Sequence, residues 1–131
     1  MHQLPSRTLR ATIRLLLLMS AGILQDANSA PILSEFLASN RDSLNDEDGD
    51  SSDWIEIHNP DLTPLDLSGF TLSDDPDFPQ KWTIPAGTSL PPNARLVIFA
   101  SGKDRTTGTR FHTNFVLSAS SGSLILSDPA G

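Results

Sequence analysis

Apolar and polar positions alternate over short stretches along residues 32–131, which predicts β-strands joined by turns. In the stretch at 54–59, Ile55 and Ile57 alternate with larger or polar residues, so both would point to one buried face. The longest apolar run, residues 95–100, is rich in branched and aromatic side chains and predicts a central strand. Further strands are predicted at residues 32–37 (with Ile32, Phe36 or their neighbours inward), 65–72 with a bend at Gly69, 81–84, 115–117 and 123–127.

Turn-forming residues separate these strands, and Gly122 with the serines before it predicts a hairpin between the last two. The pattern gives seven or eight short strands and no helix after residue 30. This count is typical of an all-β domain, specifically an immunoglobulin-like β-sandwich. About 100 residues are enough for one domain with a modest core.

The first 30 residues have the layout of a secretory signal peptide. Arginines at 7, 10 and 14 precede a mostly apolar run at 15–24, and small residues follow at 27–30. The run is shorter than the roughly 20 residues that span a bilayer, so we predict no stable membrane insertion. We therefore divide the chain into a signal peptide, residues 1–30, and a domain, residues 31–131, and expect a secreted, extracellular or periplasmic protein.

The charge of the chain limits its binding partners, and its cysteine content limits how the fold is stabilised. Residues 31–131 hold fifteen acidic and six basic side chains, and this negative surface would repel phosphate backbones. We therefore predict no nucleic-acid partner. The chain has no cysteine, so packing must stabilise the exported domain without disulfides.

An acidic loop before the strand at 54–59 suggests a calcium site. Its aspartates stand at the first, third and fifth positions of an EF-hand-like spacing. The sixth position, however, is Ser51 in place of glycine, and the twelfth is Ile57 in place of glutamate. A solvated acidic turn is therefore the preferred interpretation, with weak calcium binding as the alternative. The candidate calcium ligands are Asp46, Asp48, Asp50 and Asp53.

Two tryptophans and two histidines after residue 30 are the other candidates for chemistry. Trp54 and Trp82 could stack on sugars, but packing between the sheets is the preferred interpretation. His58 and His112 belong to no ligand or nucleophile motif, so we expect surface or strand-end positions for both. We predict no catalytic residues and no enzyme.

Several segments together resemble the lamin-tail domain in its bacterial secreted form, and the resemblance extends over residues 32–131. The most specific segment is residues 52–60, which read Ser-Asp-Trp-Ile-Glu-Ile-His-Asn-Pro. The other matching segments are residues 32–40, 46–50, 65–75, 81–85, 94–103 and 112–118.

This resemblance implies an immunoglobulin-like β-sandwich without assigned catalytic residues. Such domains accompany larger secreted proteins, including hydrolases, nucleases and spore-coat kinase-like domains. The resemblance therefore implies a binding or attachment role. We expect a secreted, non-catalytic module with a protein, cell-surface or polysaccharide partner. The alternatives are an N-terminal accessory domain of a larger extracellular enzyme and a weakly calcium-binding surface module. The family normally adds one or two strands after the turn at 128–131, so we expect the last strand or strands to be missing here and a sheet edge to be exposed.

Overall fold

The computed structural model describes residues 30–131, and the predicted signal peptide lies outside the described residues except for Ala30. Within residues 30–131 there is no helix, and so none that could cross a membrane. The strands are β1 (Ile32–Leu37), β2 (Asp53–His58), β3 (Leu65–Asp66), β4 (Thr71–Ser73), β5 (Trp82–Thr83), β6 (Ser89–Leu90), β7 (Arg95–Ala100), β8 (Phe111–His112) and β9 (Ile125–Ser127).

The largest sheet has four strands in the order β1-β2-β7-β8. Its neighbours pair antiparallel except β7 and β8, which pair parallel. Ile55 lies opposite Ile98 in the β2–β7 pair, and both are completely buried, as is Ile57. The predicted alternation in β2 and the predicted central strand at 95–100 are therefore confirmed.

Two smaller sheets form the other layer of the sandwich. They have the orders β3-β6 and β5-β4-β9. The chain passes from the first to the second at Gly69, whose positive φ of 79° suits a residue without a Cβ. Leu67 and Leu72 on either side of this bend are completely buried and join the isoleucines of β2 in one core. The fold is the predicted all-β, immunoglobulin-like sandwich.

The predicted hairpin around Gly122 is wrong. Residues 115–117 do not form a strand, and Val116 makes only an isolated bridge to Ser101. The last strand, β9, pairs with β4, about fifty residues earlier in the chain. Local turn residues indicate where the chain bends but not which strand it reaches next, and the two-residue strands β6 and β8 are too short to leave a pattern.

The outer face of the four-stranded sheet carries a second buried group. Phe99 of β7 points away from the main core yet has no exposed surface. The ring of His112 stacks on Phe99 at 5.3 Å, and the guanidinium of Arg110 lies 5.5 Å from the same ring. The loop between β7 and β8 therefore folds back over this face of the sheet.

Candidate functional site

Asp46 organises the acidic loop before β2. Its Oδ1 accepts the backbone N–H groups of Asp48 and Asp50, both at 3.0 Å. Its backbone N–H donates to the carbonyl of Asp50, and its own carbonyl accepts the N–H of Gly49, whose φ is 85°. The aspartate thus closes a tight turn with its side chain and main chain together, as Asp commonly does. The Asp46 side chain is completely buried.

The ammonium group of Lys103 sits among three carboxylates of this loop. Its Nζ lies 2.6 Å from Asp46, 2.7 Å from Asp48 and 2.8 Å from Asp50. A lysine has three N–H donors, so each carboxylate can accept one of them. Ser52 donates a further hydrogen bond to Asp46 at 2.8 Å.

A second chain of contacts runs from the loop to the buried histidine. Arg105 Nη1 lies 2.8 Å from Asp48 and 3.2 Å from Glu47. The Glu47 carboxylate contacts His112 Nε2 at 2.9 Å, and His112 Nδ1 lies 2.8 Å from the hydroxyl of Ser101. With Nε2 protonated, the imidazole donates to Glu47, and its Nδ1 is left to bond to the Ser101 hydroxyl.

Backbone pairing holds the basic residues opposite the acidic loop. Arg105 and His112 exchange both of their main-chain hydrogen bonds at 2.9 Å. The N–H of Thr113 then donates to the carbonyl of Phe99 at 2.8 Å, and the N–H of Asp104 donates to Thr113 at 3.1 Å. These hydrogen bonds fix the loop between β7 and β8, so that its basic side chains face the carboxylates of the acidic loop.

These contacts shift the pKa values of the charged groups. Burial alone would raise the pKa of Asp46, but the bonds from Lys103, Ser52 and the loop amides hold that pKa far below its usual range. The His112 contact lowers the pKa of Glu47. For Lys103, burial opposes charge, yet the three carboxylates raise the pKa of the ammonium. All these groups are therefore charged at neutral pH.

The predicted calcium ligands converge only in part. Oxygens of Asp46, Asp48 and Asp50 lie within 4.8 Å of one another, close enough to hold one ion. The Lys103 ammonium already binds to all three, so a calcium ion would have to displace it. Asp53 is not part of this group, because its Oδ1 accepts the backbone N–H of Asn40 at 3.0 Å. The turn geometry of the preferred interpretation is present, and the carboxylates of Asp48 and Asp50 face solvent while they also contact Lys103.

The structure also places the tryptophans and histidines. Trp82 is buried in the core, as the packing interpretation predicts, and half-buried Trp54 donates from Nε1 to Ser43 at 3.3 Å. His58 lies at the end of β2 as expected and bonds to Asn93 at 3.0 Å. His112 also lies at a strand end, one of the two expected positions, and its ring has no exposed area.

Ser101, His112 and Glu47 stand in the order of a nucleophile, a base and an acid. A substrate could not reach the imidazole, however, because its ring has no exposed surface. The Ser101 Oγ also accepts the backbone N–H of Lys103 at 3.2 Å. These contacts give the buried imidazole its hydrogen-bond partners and fix the loop that carries Lys103.

Two shallow pockets with mixed apolar and polar linings lie along β1, and we call the two together the groove between β1 and β9. One stretch has a volume of about 440 Å³ and is lined by Phe36 and by residues 117–124. The other, about 410 Å³, is lined by residues 30–33 together with Phe70, Leu126 and Asp128. Phe36 is 58% exposed in this groove although its pairing partner Ile55 is completely buried.

No motif in the sequence indicates the role of Lys103 and Arg105, and neither residue was predicted to belong to a site. The balance of acidic and basic residues in the sequence could have indicated these two residues. A loop with five acidic residues between Asp46 and Asp53 needs cations nearby, and residues 31–131 contain only six. Three of those six lie in the single loop between β7 and β8.

Comparison with known families gives one match. The family model of the Lamin Tail Domain matches residues 25–131, which is most of the chain. No curated protein and no solved structure matches the chain.

Proposed function

The chain belongs to the lamin tail domain family, and from that membership we propose that it is a secreted, non-catalytic interaction module. In this proposal it attaches to a protein or to a cell-surface polysaccharide. Secretion rests on the signal-peptide pattern of residues 1–30. A periplasmic or extracellular location of an epitope-tagged full chain in a bacterial host would support export, and retention in the cytoplasm would contradict it.

The charged network supports a structural role for the most chemically rich part of the molecule. Lys103 has all three donors engaged, and Asp46 accepts from four groups. His112 is bonded on both ring nitrogens and has no exposed surface. Groups so fully engaged stabilise a loop and offer no unpaired base to a substrate.

The groove between β1 and β9 is the observation that carries the binding proposal. It holds Phe36, one of the few large apolar side chains that are exposed among residues 30–131. A contiguous exposed apolar surface marks an interaction site where a single exposed residue does not, and Phe36 lies in one pocket with Leu117 and Leu124. The groove is open, which suits a large partner better than an enclosed small molecule.

A binding panel tests this function. The purified chain is incubated with insoluble peptidoglycan, cellulose and chitin, and separately with immobilised unfolded and folded proteins, and bound protein is quantified against concentration. We expect saturable binding to at least one class and no turnover of it during long incubation. Release of soluble products, or no saturable binding to any of the classes, would contradict the proposal.

A further inference from the structure

We infer that the groove between β1 and β9 binds an extended peptide segment of a partner protein, which adds as a strand to the free edge of β1. This inference rests on the proposed interaction function and names the class of partner. The bound segment pairs its main chain with β1, and its alternate apolar side chains enter the groove.

The strand order leaves β1 open for such pairing. Within the described residues, β1 pairs with β2 on one side and with no strand on the other. It is six residues long, with a register shift between Leu33 and Glu35, and is twice the length of β9, one of the two edge strands of the three-stranded sheet. An open edge presents unpaired N–H and C=O groups that another chain can satisfy.

The surface beside this edge is apolar on the side that an added strand would cover. Register places Leu33 opposite Ile57 and Phe36 opposite Ile55, so both side chains point toward the inner face of the sheet. Leu117, Leu124 and Leu126 on the far wall of the groove pack against the core but remain partly exposed. Side chains on one face of a strand repeat about every 7 Å, so one added strand would place two or three side chains along this surface.

Charge favours a partner segment that is neutral or basic. The groove lining contains Asp128 and neither lysine nor arginine, and Glu35 is exposed on β1. Residues 31–131 carry nine more acidic than basic side chains, so a second copy of this chain would be repelled at the same edge. Serine hydroxyls at 118, 120, 121 and 123 line one stretch and can bond to main-chain groups of a peptide.

The probe is a nine-residue peptide of alternating valine and threonine with a lysine at each end. Binding to the full chain is measured by fluorescence anisotropy, and the contacted residues are mapped by amide chemical shifts. We expect saturable binding with shifts along β1 and the groove. A peptide with proline at the central position should bind at least about tenfold more weakly, because proline removes a main-chain donor.

Phe36→Asp and Phe78→Asp form the matched pair of variants. Both phenylalanines are exposed, at 58% and 68%, so neither substitution removes core packing, but only Phe36 lines the groove. We expect Phe36→Asp to weaken peptide binding at least about tenfold and Phe78→Asp to leave it within about twofold. Circular dichroism of both variants confirms that each is folded.

Equal binding of the peptide to wild type and Phe36→Asp would overturn the inference, as would equal binding of the proline peptide. Amide shifts confined to other surfaces would also overturn it. So would a dimer in sedimentation that buries β1, or competition of soluble oligosaccharides for the groove. If the binding panel gives saturable binding while the peptide does not bind, this inference fails and the proposed function stands.

Discussion

The ammonium nitrogen of Lys103 lies 2.6 Å from Oδ2 of Asp46, a carboxylate with no exposed surface. The two residues are 57 positions apart in the chain, so the contact joins the loop before β2 to the loop after β7. Together with the Glu47–His112 contact it fixes both loops over the outer face of the four-stranded sheet. The acidic loop and the loop after β7, which supplies the cation, therefore form a structural clamp.

Replacing Lys103 with Met should convert the loop into a calcium-responsive one. The substitution leaves three carboxylates within 4.8 Å and removes the ammonium that occupies them. For a dissociation constant of about 1 mM, 10 mM calcium would add about 1.4 kcal/mol, or roughly 6 °C in melting temperature. The wild type should shift by less than about 1 °C, with sodium chloride at matched ionic strength as the control. Equal calcium shifts in both proteins would show that calcium binds without displacing Lys103.

The stability of the domain should fall with acid and with strong alkali. The pKa values of Asp46, Glu47 and Asp48 are lowered from ordinary values of 3.8 to 4.5. These carboxylates therefore contribute their full stabilisation of the fold above the ordinary values. It is lost as the pH falls through the folded-state pKa values. The pKa of Lys103 is raised above 10.5, so its contribution is full below that value and is lost as the pH rises through its folded-state pKa. Urea midpoints should therefore form a plateau between about pH 5 and pH 10.

The same pH series on Lys103→Met gives the control for that plateau. Without the ammonium, Asp46 keeps its burial but loses its main charged partner, so the fall in stability on acidification should be smaller. An acid limb with the same slope in both proteins would mean that other carboxylates control acid unfolding.

Replacing His112 with Gln should destabilise the fold by about 2 kcal/mol. The imidazole bridges Glu47 and Ser101 from a completely buried position, and glutamine cannot reproduce both contacts or the stacking on Phe99. His58→Gln is the matched control, because that ring makes an exposed contact to Asn93 and should change stability by less than about 0.5 kcal/mol. Similar losses for both variants in urea unfolding would contradict the role given to His112.

Replacing Gly49 with Ala should cost about 1 kcal/mol through the backbone alone. Its φ is 85°, a conformation that side chains disfavour, although a Cβ there would meet no atom within 4 Å. Gly122→Ala is the matched control. Its φ lies outside the left-handed region and its added Cβ would make ordinary contact with Ser118, so stability should be unchanged or slightly higher. A loss at Gly122 equal to that at Gly49 would exclude the backbone explanation.

Local patterns in the sequence predict the core strands but not which residues of the clamp contact each other. Alternation in β2 and the apolar run in β7 are local patterns that burial on one face requires, and both are confirmed. The partner of Asp46 lies 57 residues away, and no local period encodes that contact. The same limit explains β9, whose preceding turn suggested a hairpin although its partner is β4.

A double-mutant cycle between Asp46→Ala and Lys103→Met tests the clamp most directly. Each single variant should lose about 2–3 kcal/mol in urea unfolding, because each leaves a buried or half-buried charge without its main partner. Asp77→Ala, in an exposed acidic turn, is the control and should lose less than about 0.5 kcal/mol. The double variant should lose about 2 kcal/mol less than the sum of the two single losses. Losses that simply add, within about 0.5 kcal/mol, would contradict the account that Lys103 and Asp46 hold the two loops together.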